Sequence, residues 1–149
     1  MDIKDSKITI AIASDHAGFS LKEKVKENFK DSNIIFKDFG CFSADSVDYP
    51  DFAKPAAMAV SNKECEKGIL ICGSGTGMTI TANKVKGIRA ANCWSEDIAK
   101  LAVQHNNINI LCMGERFIKT ELAFKIINIF LTTSFEGGRH QRRVDKIEN

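Results

Sequence analysis

Short apolar runs alternate with longer segments of helical period along the whole of this 149-residue chain. The clearest run, residues 68–72 (GILIC), is apolar without alternation, which is typical of a strand buried on both faces. Similar runs occupy residues 8–13, 34–39, 89–93 and 108–113. Because strand and helix alternate five times, the sequence predicts an α/β, Rossmann-like three-layer fold: a five-stranded parallel sheet with helices on both faces.

The segments between these runs predict the helices. An amphipathic stretch follows the first run and reaches about residue 30, and residues 51–61 indicate a helix whose start is blurred by Pro50 and Pro55. Further helices are expected from the glycine-rich loop to about residue 84, from Ser95 as N-cap to residue 104, and over residues 120–131. No linker or repeat interrupts this order, so we expect a single domain over residues 1–149 that ends in a polar, basic tail at 136–149.

Composition narrows the class of protein. Hydrophobic residues make up 44% and charged residues 27%, a globular balance, and the net charge of +2 argues against a dedicated nucleic-acid binder. No apolar run approaches the ~20 residues that span a bilayer, so no membrane partner is expected. The five cysteines form no CxxC pair, and the polar start of the chain has no apolar signal segment. We therefore expect free thiols and a cytoplasmic location.

Two polar loops follow strands of the predicted sheet. Asp15 and His16 follow the first strand, and residues 73–77 (GSGTG) follow the third. Ligands on parallel sheets bind at the carboxyl ends of strands, near the switch in strand order. We therefore expect both loops at one edge of the sheet, with the ligand pocket between them.

The glycine-rich loop lets the backbone approach a ligand closely, and its amides lie at a helix N-terminus that favours an anion. The pattern is neither the dinucleotide fingerprint nor a P-loop, which ends in Gly-Lys-Ser/Thr. A tight turn that merely packs well stays open as the alternative. Cys72, directly before the loop, feels the positive end of the following helix and could be a thiolate or a small core residue. A phosphatase-type nucleophile would need an arginine where Met78 stands.

The other four cysteines, Cys41, Cys65, Cys93 and Cys112, are expected in the core. The three histidines, His16, His105 and His140, each lie in a polar segment among functional residue types. They indicate no metal site, because no pair has ligand spacing and no acidic cluster accompanies them.

Two arginines of the tail, Arg139 and Arg143, are one helical turn apart and would share a face if the tail is helical. Guanidinium groups suit a phosphate monoester, and a solvated basic tail is the alternative.

Taken together, these residues resemble the ribose-5-phosphate isomerase B family, which includes galactose-6-phosphate and allose-6-phosphate isomerases. The resemblance covers about residues 8–144, in the right order and spacing. It is carried by Ser14-Asp15-His16-Ala17-Gly18, Asp48-Tyr49-Pro50, Ile71-Cys72-Gly73-Ser74-Gly75-Thr76-Gly77, Ala82-Asn83-Lys84, Gly87-Ile88-Arg89-Ala90, Gln104-His105-Asn106, Asn109 and Glu136-Gly137-Gly138-Arg139-His140.

The resemblance implies aldose–ketose isomerisation through an enediolate, with no metal and no organic cofactor. By this resemblance Cys72 is the base that moves a proton between C1 and C2, and His105 opens the furanose ring. The amides of residues 73–77, with Asn106, stabilise the enediolate oxygen.

The resemblance also implies how the rest of the substrate is bound. Asp15 holds sugar hydroxyls, and Tyr49 lines the pocket. The phosphate is bound by His16, Arg116, Arg139 and Arg143.

Two positions depart from patterns in the family. Ser74 stands where some members have threonine, and its hydroxyl keeps the same function. Another branch lacks the cysteine and uses a glutamate just after the loop as its base. Here that place is Met78, which leaves Cys72 as the base if the family mechanism holds.

The position of His105 adds a geometric expectation. His105 and Asn106 lie between a helix and the following strand, at the amino edge of the sheet, whereas Cys72 lies at the carboxyl edge. A strand of five or six residues is ~17–20 Å long, too far for direct cooperation within one subunit. We therefore expect a homodimer with shared active sites, with a tetramer left open.

Ribose-5-phosphate/ribulose-5-phosphate isomerase of the pentose phosphate pathway is thus the leading hypothesis. A hexose-6-phosphate isomerase and a non-catalytic phosphosugar- or nucleotide-binding module remain as alternatives. A pure binder would need neither Cys72 nor His105. Binding of nucleic acid through the tail would depend steeply on salt.

Overall fold

The computed structural model describes residues 6–149, and its five strands in this part of the chain all run parallel. The spatial order is β2-β1-β3-β5-β4. The predicted five-stranded parallel sheet is confirmed, with strand ends shifted by one or two residues. The strands are β1 (Ile8–Ser14), β2 (Ile34–Asp38), β3 (Lys67–Cys72), β4 (Ala90–Asn92) and β5 (Ile110–Gly114).

Five of the described helices, α1 to α5, lie where the sequence predicts them, and the sixth, in the tail, was not predicted. Ser95 caps α4 as expected, because its Oγ accepts a hydrogen bond from the N–H of Ile98 at 3.2 Å. The basic tail forms a helix of its own, and none of the described helices is both long and apolar enough to cross a membrane. The helices are α1 (Phe19–Asn28), α2 (Pro50–Ser61), α3 (Thr76–Asn83), α4 (Glu96–Asn106), α5 (Thr120–Thr132) and α6 (Arg139–Glu148).

Successive strand residues face opposite sides of the sheet, and each side has its own core. On one side Ile69 and Ile71 of β3 pack with apolar residues of α1, α4 and α5. On the other side Leu70 and Cys72 pack with the alanine-rich face of α2 and with α3. The expected layer of helices on both faces is therefore confirmed.

The strand order places the switch point between β1 and β3. From β1 the chain moves outward to β2 and then crosses back to β3 on the other side of β1. Ser14 pairs with Ile71, and the N–H of Asp15 donates to the carbonyl of Ile71 at 3.3 Å. The loops after β1 and β3 therefore lie side by side at the carboxyl edge, as predicted.

A buried ion pair fixes the loop after β2 beside this edge. Lys22 of α1 is fully buried, and its Nζ lies 2.7 and 2.8 Å from the Asp38 carboxylate oxygens and 2.7 Å from the carbonyl of Cys41. Lys26 Nζ is 2.9 Å from the same carboxylate. Burial alone would raise the pKa of Asp38, but the hydrogen bonds from Lys22, Lys26 and the N–H of Gly40 outweigh it and hold the pKa below its ordinary value.

We expect Asp38→Asn to lower the free energy of unfolding by about 3 kcal/mol at pH 7, because the buried Lys22 ammonium then keeps only the exposed Glu23 carboxylate, 3.5 Å away, as a counter-charge. The folded-state pKa is lowered, so the carboxylate stabilises the fold above its ordinary pKa of about 3.9, and this contribution disappears as the pH falls through the lower folded value. Urea unfolding of both proteins from pH 7 to pH 3 measures the effect. The exposed Asp31→Asn is the control, with an expected change within about 0.5 kcal/mol. An equal loss in both variants would contradict the role of the pair.

Candidate active site

Cys72 ends β3 and is 4% exposed at the switch point. Its Sγ accepts a hydrogen bond from the N–H of Gly75 at 3.2 Å, an interaction that strengthens when the sulfur is ionised. Gly75 is the N-cap of α3 with φ of +81°, a conformation that glycine adopts without strain. The chain thus folds the helix N-terminus back onto the thiol.

The backbone N–H groups of the glycine loop (residues 73–77) differ in whether they are hydrogen-bonded within the chain. The N–H of Thr76 donates to Ser74 Oγ at 3.2 Å, and that of Gly75 is used by Cys72. Within residues 6–149, the N–H groups of Gly73 and Ser74 have no hydrogen-bond partner. These two amides, next to the thiol, can bind an anionic oxygen.

Two residues that the sequence did not single out hold this loop in place. Asn92 donates from Nδ2 to the carbonyl of Ser74 at 3.0 Å. A methyl group on Gly114 would lie 2.5 Å from the backbone of Ser74, so only glycine lets the end of β5 approach the loop. Both contacts depend on the pairing of β5 with β3 and with β4, which no local pattern reveals.

Asp15 and His16 lie across the switch point from Cys72. Asp15 is 7% exposed, and its Oδ1 accepts from the N–H groups of Ala17 and Gly18 at 2.9 and 3.1 Å, which shapes the turn into α1. Oδ2 takes no part in these bonds. His16 Nδ1 accepts from the N–H of Val47 at 3.1 Å, so the neutral ring carries its proton on Nε2 and can donate to a ligand.

The side chains of Tyr49 and Arg116 pack against the two ends of the glycine loop. A methyl group on Gly77 would lie 2.7 Å from the Tyr49 ring, and one on Gly73 would lie 3.0 Å from the Arg116 guanidinium. The N–H of Arg116 donates to the carbonyl of Gly73 at 3.1 Å. The structure therefore brings Asp15, His16, Tyr49, Cys72 and Arg116 together around the loop; we call these residues the carboxyl-edge set.

The other buried thiols of the described residues are poor candidates for a base. Burial raises the pKa of Cys93 to about 11 and that of Cys112 to about 12, and it also raises the pKa of Cys65. These groups stay protonated at neutral pH. Cys41, Cys65, Cys93 and Cys112 are all buried, as the sequence predicted.

A second group of predicted site residues lies around His105, at the C-terminal end of α4. The rings of His105 and His140 stack with centroids 4.2 Å apart and planes 10° from parallel. Glu136 Oε2 lies 3.9 Å from Nε2 of His105 and 3.5 Å from Nε2 of His140. The pKa of His140 is lowered by burial and by the charges of His105, Arg139 and Arg143, against the opposite effect of Glu136.

Arg139 and Arg143 begin α6 beside this histidine pair. Both are exposed and one helical turn apart, so they share a face as expected. Asn106 ends α4 and is also exposed. We call His105, Asn106, Arg139 and Arg143 the amino-edge set.

The two sets lie at opposite edges of the sheet. Cys72 pairs with Gly114 at one end of the β3–β5 ladder, and Gly68 pairs with Ile110 at the other. Four residue steps at ~3.3 Å separate these ends by ~13 Å, and His105 lies beyond Ile110 on the side away from Cys72. The side chains proposed for the phosphate are therefore divided, with His16 and Arg116 at one edge and the two tail arginines at the other.

The family model described as "Ribose/Galactose Isomerase" matches residues 10–147. The chain belongs to the ribose/galactose isomerase family. The expected resemblance to ribose-5-phosphate isomerase B is confirmed, since the chain is 43% identical to the ribose-5-phosphate isomerase B of Escherichia coli, with 93% of each chain covered.

Solved structures of members of the ribose/galactose isomerase family share the fold. A ribose 5-phosphate isomerase from Thermotoga maritima has 52% identity and a TM-score of 0.92, with 95% of this chain and 97% of that one covered. The ribose-5-phosphate isomerase B of Mycoplasma genitalium, solved with bound ribulose-5-phosphate, has 46% identity and a TM-score of 0.90, with 96% and 95% covered. Both comparisons therefore extend over nearly the whole length of this chain and of the two solved enzymes.

Proposed function

We propose that this chain interconverts ribose 5-phosphate and ribulose 5-phosphate through an enediolate, a step of the pentose phosphate pathway. The observation that carries the proposal is the placement of the Cys72 thiol against the unpaired amides of Gly73 and Ser74, at the switch point of a ribose/galactose isomerase fold. A structural relative with bound ribulose-5-phosphate supports the choice of substrate.

In this mechanism the Cys72 thiolate takes the proton from C2 of the open-chain aldose. The electron pair moves into the C1–C2 bond and onto the carbonyl oxygen, forming the enediolate. The free amides of the loop stabilise the negative oxygen, a contribution typically worth a few kcal/mol in such sites. A proton passes from O2 to O1, and the thiol returns its own proton to C1, which gives the ketose.

The carboxyl-edge set supplies the other contacts from the same chain. His16 donates from Nε2, and Arg116 lies over Gly73 with its guanidinium turned toward the loop, so both suit the phosphate. Asp15 keeps one carboxylate oxygen for the sugar hydroxyls, and the Tyr49 ring covers the loop at Gly77.

The amino-edge set completes the site from a neighbouring subunit in this proposal. His105 opens the furanose ring, Asn106 assists at the enediolate oxygen, and the tail at 136–149 adds Arg139 and Arg143 to the phosphate. The separation of the two sets within one chain supports a homodimer with two shared sites. The sequence predicted a shared site from the positions of His105 and Asn106 alone, and Arg139 and Arg143 lie at the same edge as these two residues.

We expect kcat/KM for ribose 5-phosphate to exceed that for allose 6-phosphate by at least about tenfold, because the extra carbon of the hexose must be accommodated between the phosphate ligands and Cys72. A coupled assay of both sugars with the same preparation measures the ratio. A preference for the hexose would move the chain to the hexose-6-phosphate branch of the family. Binding of both sugars without turnover would indicate the non-catalytic module.

A further inference from the structure

The stacked histidines and Glu136 form a compact set of ligand atoms. His105, Glu136 and His140 each offer one ligand atom, and these three atoms lie within 4.8 Å of one another. No local pattern reveals this set of ligands, because His105 is far from the other two residues along the chain. The sequence predicted no acidic cluster beside the histidines, and the structure brings a single carboxylate, that of Glu136, next to both His105 and His140.

The backbone holds two of the three ligands in position. The N–H of Glu136 donates to the carbonyl of Gln104 at 3.0 Å, which ties the turn before α6 to the end of α4. Gly137 and Gly138 have φ of +68° and +54°, and the turn they form brings His140 back beside Glu136. His105 is the adjustable member, since its side chain is 36% exposed.

The ligand chemistry selects the kind of ion. Two imidazole nitrogens and one carboxylate oxygen suit Zn²⁺ and its neighbours in the transition series, with Zn–N bonds of about 2.0–2.1 Å. Arg139 and Arg143 lie close by and oppose a cation that is held by charge alone. Hard ions such as Mg²⁺, which need several oxygens, are therefore disfavoured.

We propose that His105, Glu136 and His140 form a binding site for a borderline divalent ion, with Zn²⁺ as its representative. A small rotation of His105 out of the stack would bring the three ligand atoms around one ion, and solvent would supply the fourth position. The ion is not a cofactor in this proposal. It would occupy Nε2 of His105 and so remove the group that opens the sugar ring, a consequence that rests on the proposed function.

Binding is tested by titrating chelator-treated protein with Zn²⁺ in a calorimeter. We expect one site per chain in the native protein, and at least about tenfold weaker binding for Glu136→Gln, which keeps the size of the side chain but removes the charged ligand. Glu121→Gln, an exposed carboxylate on α5, is the matched control, and Cys72→Ser removes the reactive thiol as an alternative ligand. Both should bind as the native protein does. Native-like binding by Glu136→Gln, or the absence of saturable binding by the native chain, would overturn the site.

A second measurement separates this site from the proposed function. We expect Zn²⁺ to inhibit isomerisation of ribose 5-phosphate at the concentrations that saturate the calorimetric site, and the inhibition to need at least about tenfold more ion in Glu136→Gln, each rate being compared with that of the same protein without ion. Inhibition that tracks the binding supports both proposals. Binding without inhibition would support the site and contradict the ring-opening role of His105.

Discussion

Cys72→Ala should lower kcat for ribose 5-phosphate by about 10³-fold, because a positioned general base contributes about 10²- to 10⁴-fold to proton transfer. Alanine removes the proton acceptor but fills most of the same space at the end of β3, so the sheet and the loop should keep their geometry. The free energy of unfolding should change by no more than about 1–2 kcal/mol. Steady-state kinetics and urea unfolding of the purified variant measure the two quantities.

Exchange with solvent gives the same prediction a second readout. In D₂O the native enzyme should place deuterium at the carbon that receives the proton, whereas Cys72→Ala should leave the recovered sugar unlabelled over the same time. Cys65→Ala is the matched control: that thiol is buried like that of Cys72, but it precedes β3 rather than ending it. Native rates in Cys72→Ala would assign the base to another group. Equal losses in the two variants would point to damaged packing.

The strands could be predicted because their pattern is local. The run at 68–72 is apolar at every position, and a strand that is covered on both faces requires this. The end of this run also predicted that Cys72 lies at the carboxyl edge, since the loop after a parallel strand lies at that edge whatever the strand order. Placing the crevice between β1 and β3 required the order of the strands in the sheet. Asp15 and Cys72 would lie at the carboxyl edge in any parallel order of these strands.

The support of the site could not be predicted because it depends on distant pairings. Asn92 and Gly114 contact the glycine loop only because β5 lies between β3 and β4. Lys22 is a similar case, since a lysine in an amphipathic helix is usually solvated, and only the position of Asp38 explains its burial. The stacking of His140 on His105 likewise depends on α6 packing against α4.

A mixture of two inactive variants should regain activity if each active site is built from two subunits. Cys72→Ala lacks the base at the carboxyl edge, and His105→Ala lacks the ring-opening group at the amino edge. A heterodimer of the two contains one site with both native side chains and one site with neither. Random association makes half of the dimers heterodimers, so the mixture should reach about a quarter of the native activity per chain while each parent stays near zero.

The experiment uses equal amounts of the two chains, unfolded in urea and refolded together, with ribose 5-phosphate as substrate and native mass spectrometry to count heterodimers. The matched control pairs Cys72→Ala with Arg116→Ala. These residues both belong to the carboxyl-edge set, so every site of that heterodimer lacks one of them, and no activity should return. Recovery in the first mixture but not in the second would place the two edges of the site on different subunits. If heterodimers form in the first mixture and the activity stays at the sum of the parents, each chain must carry a complete site of its own, and the separation of His105 from Cys72 across the sheet would have to be bridged within one subunit.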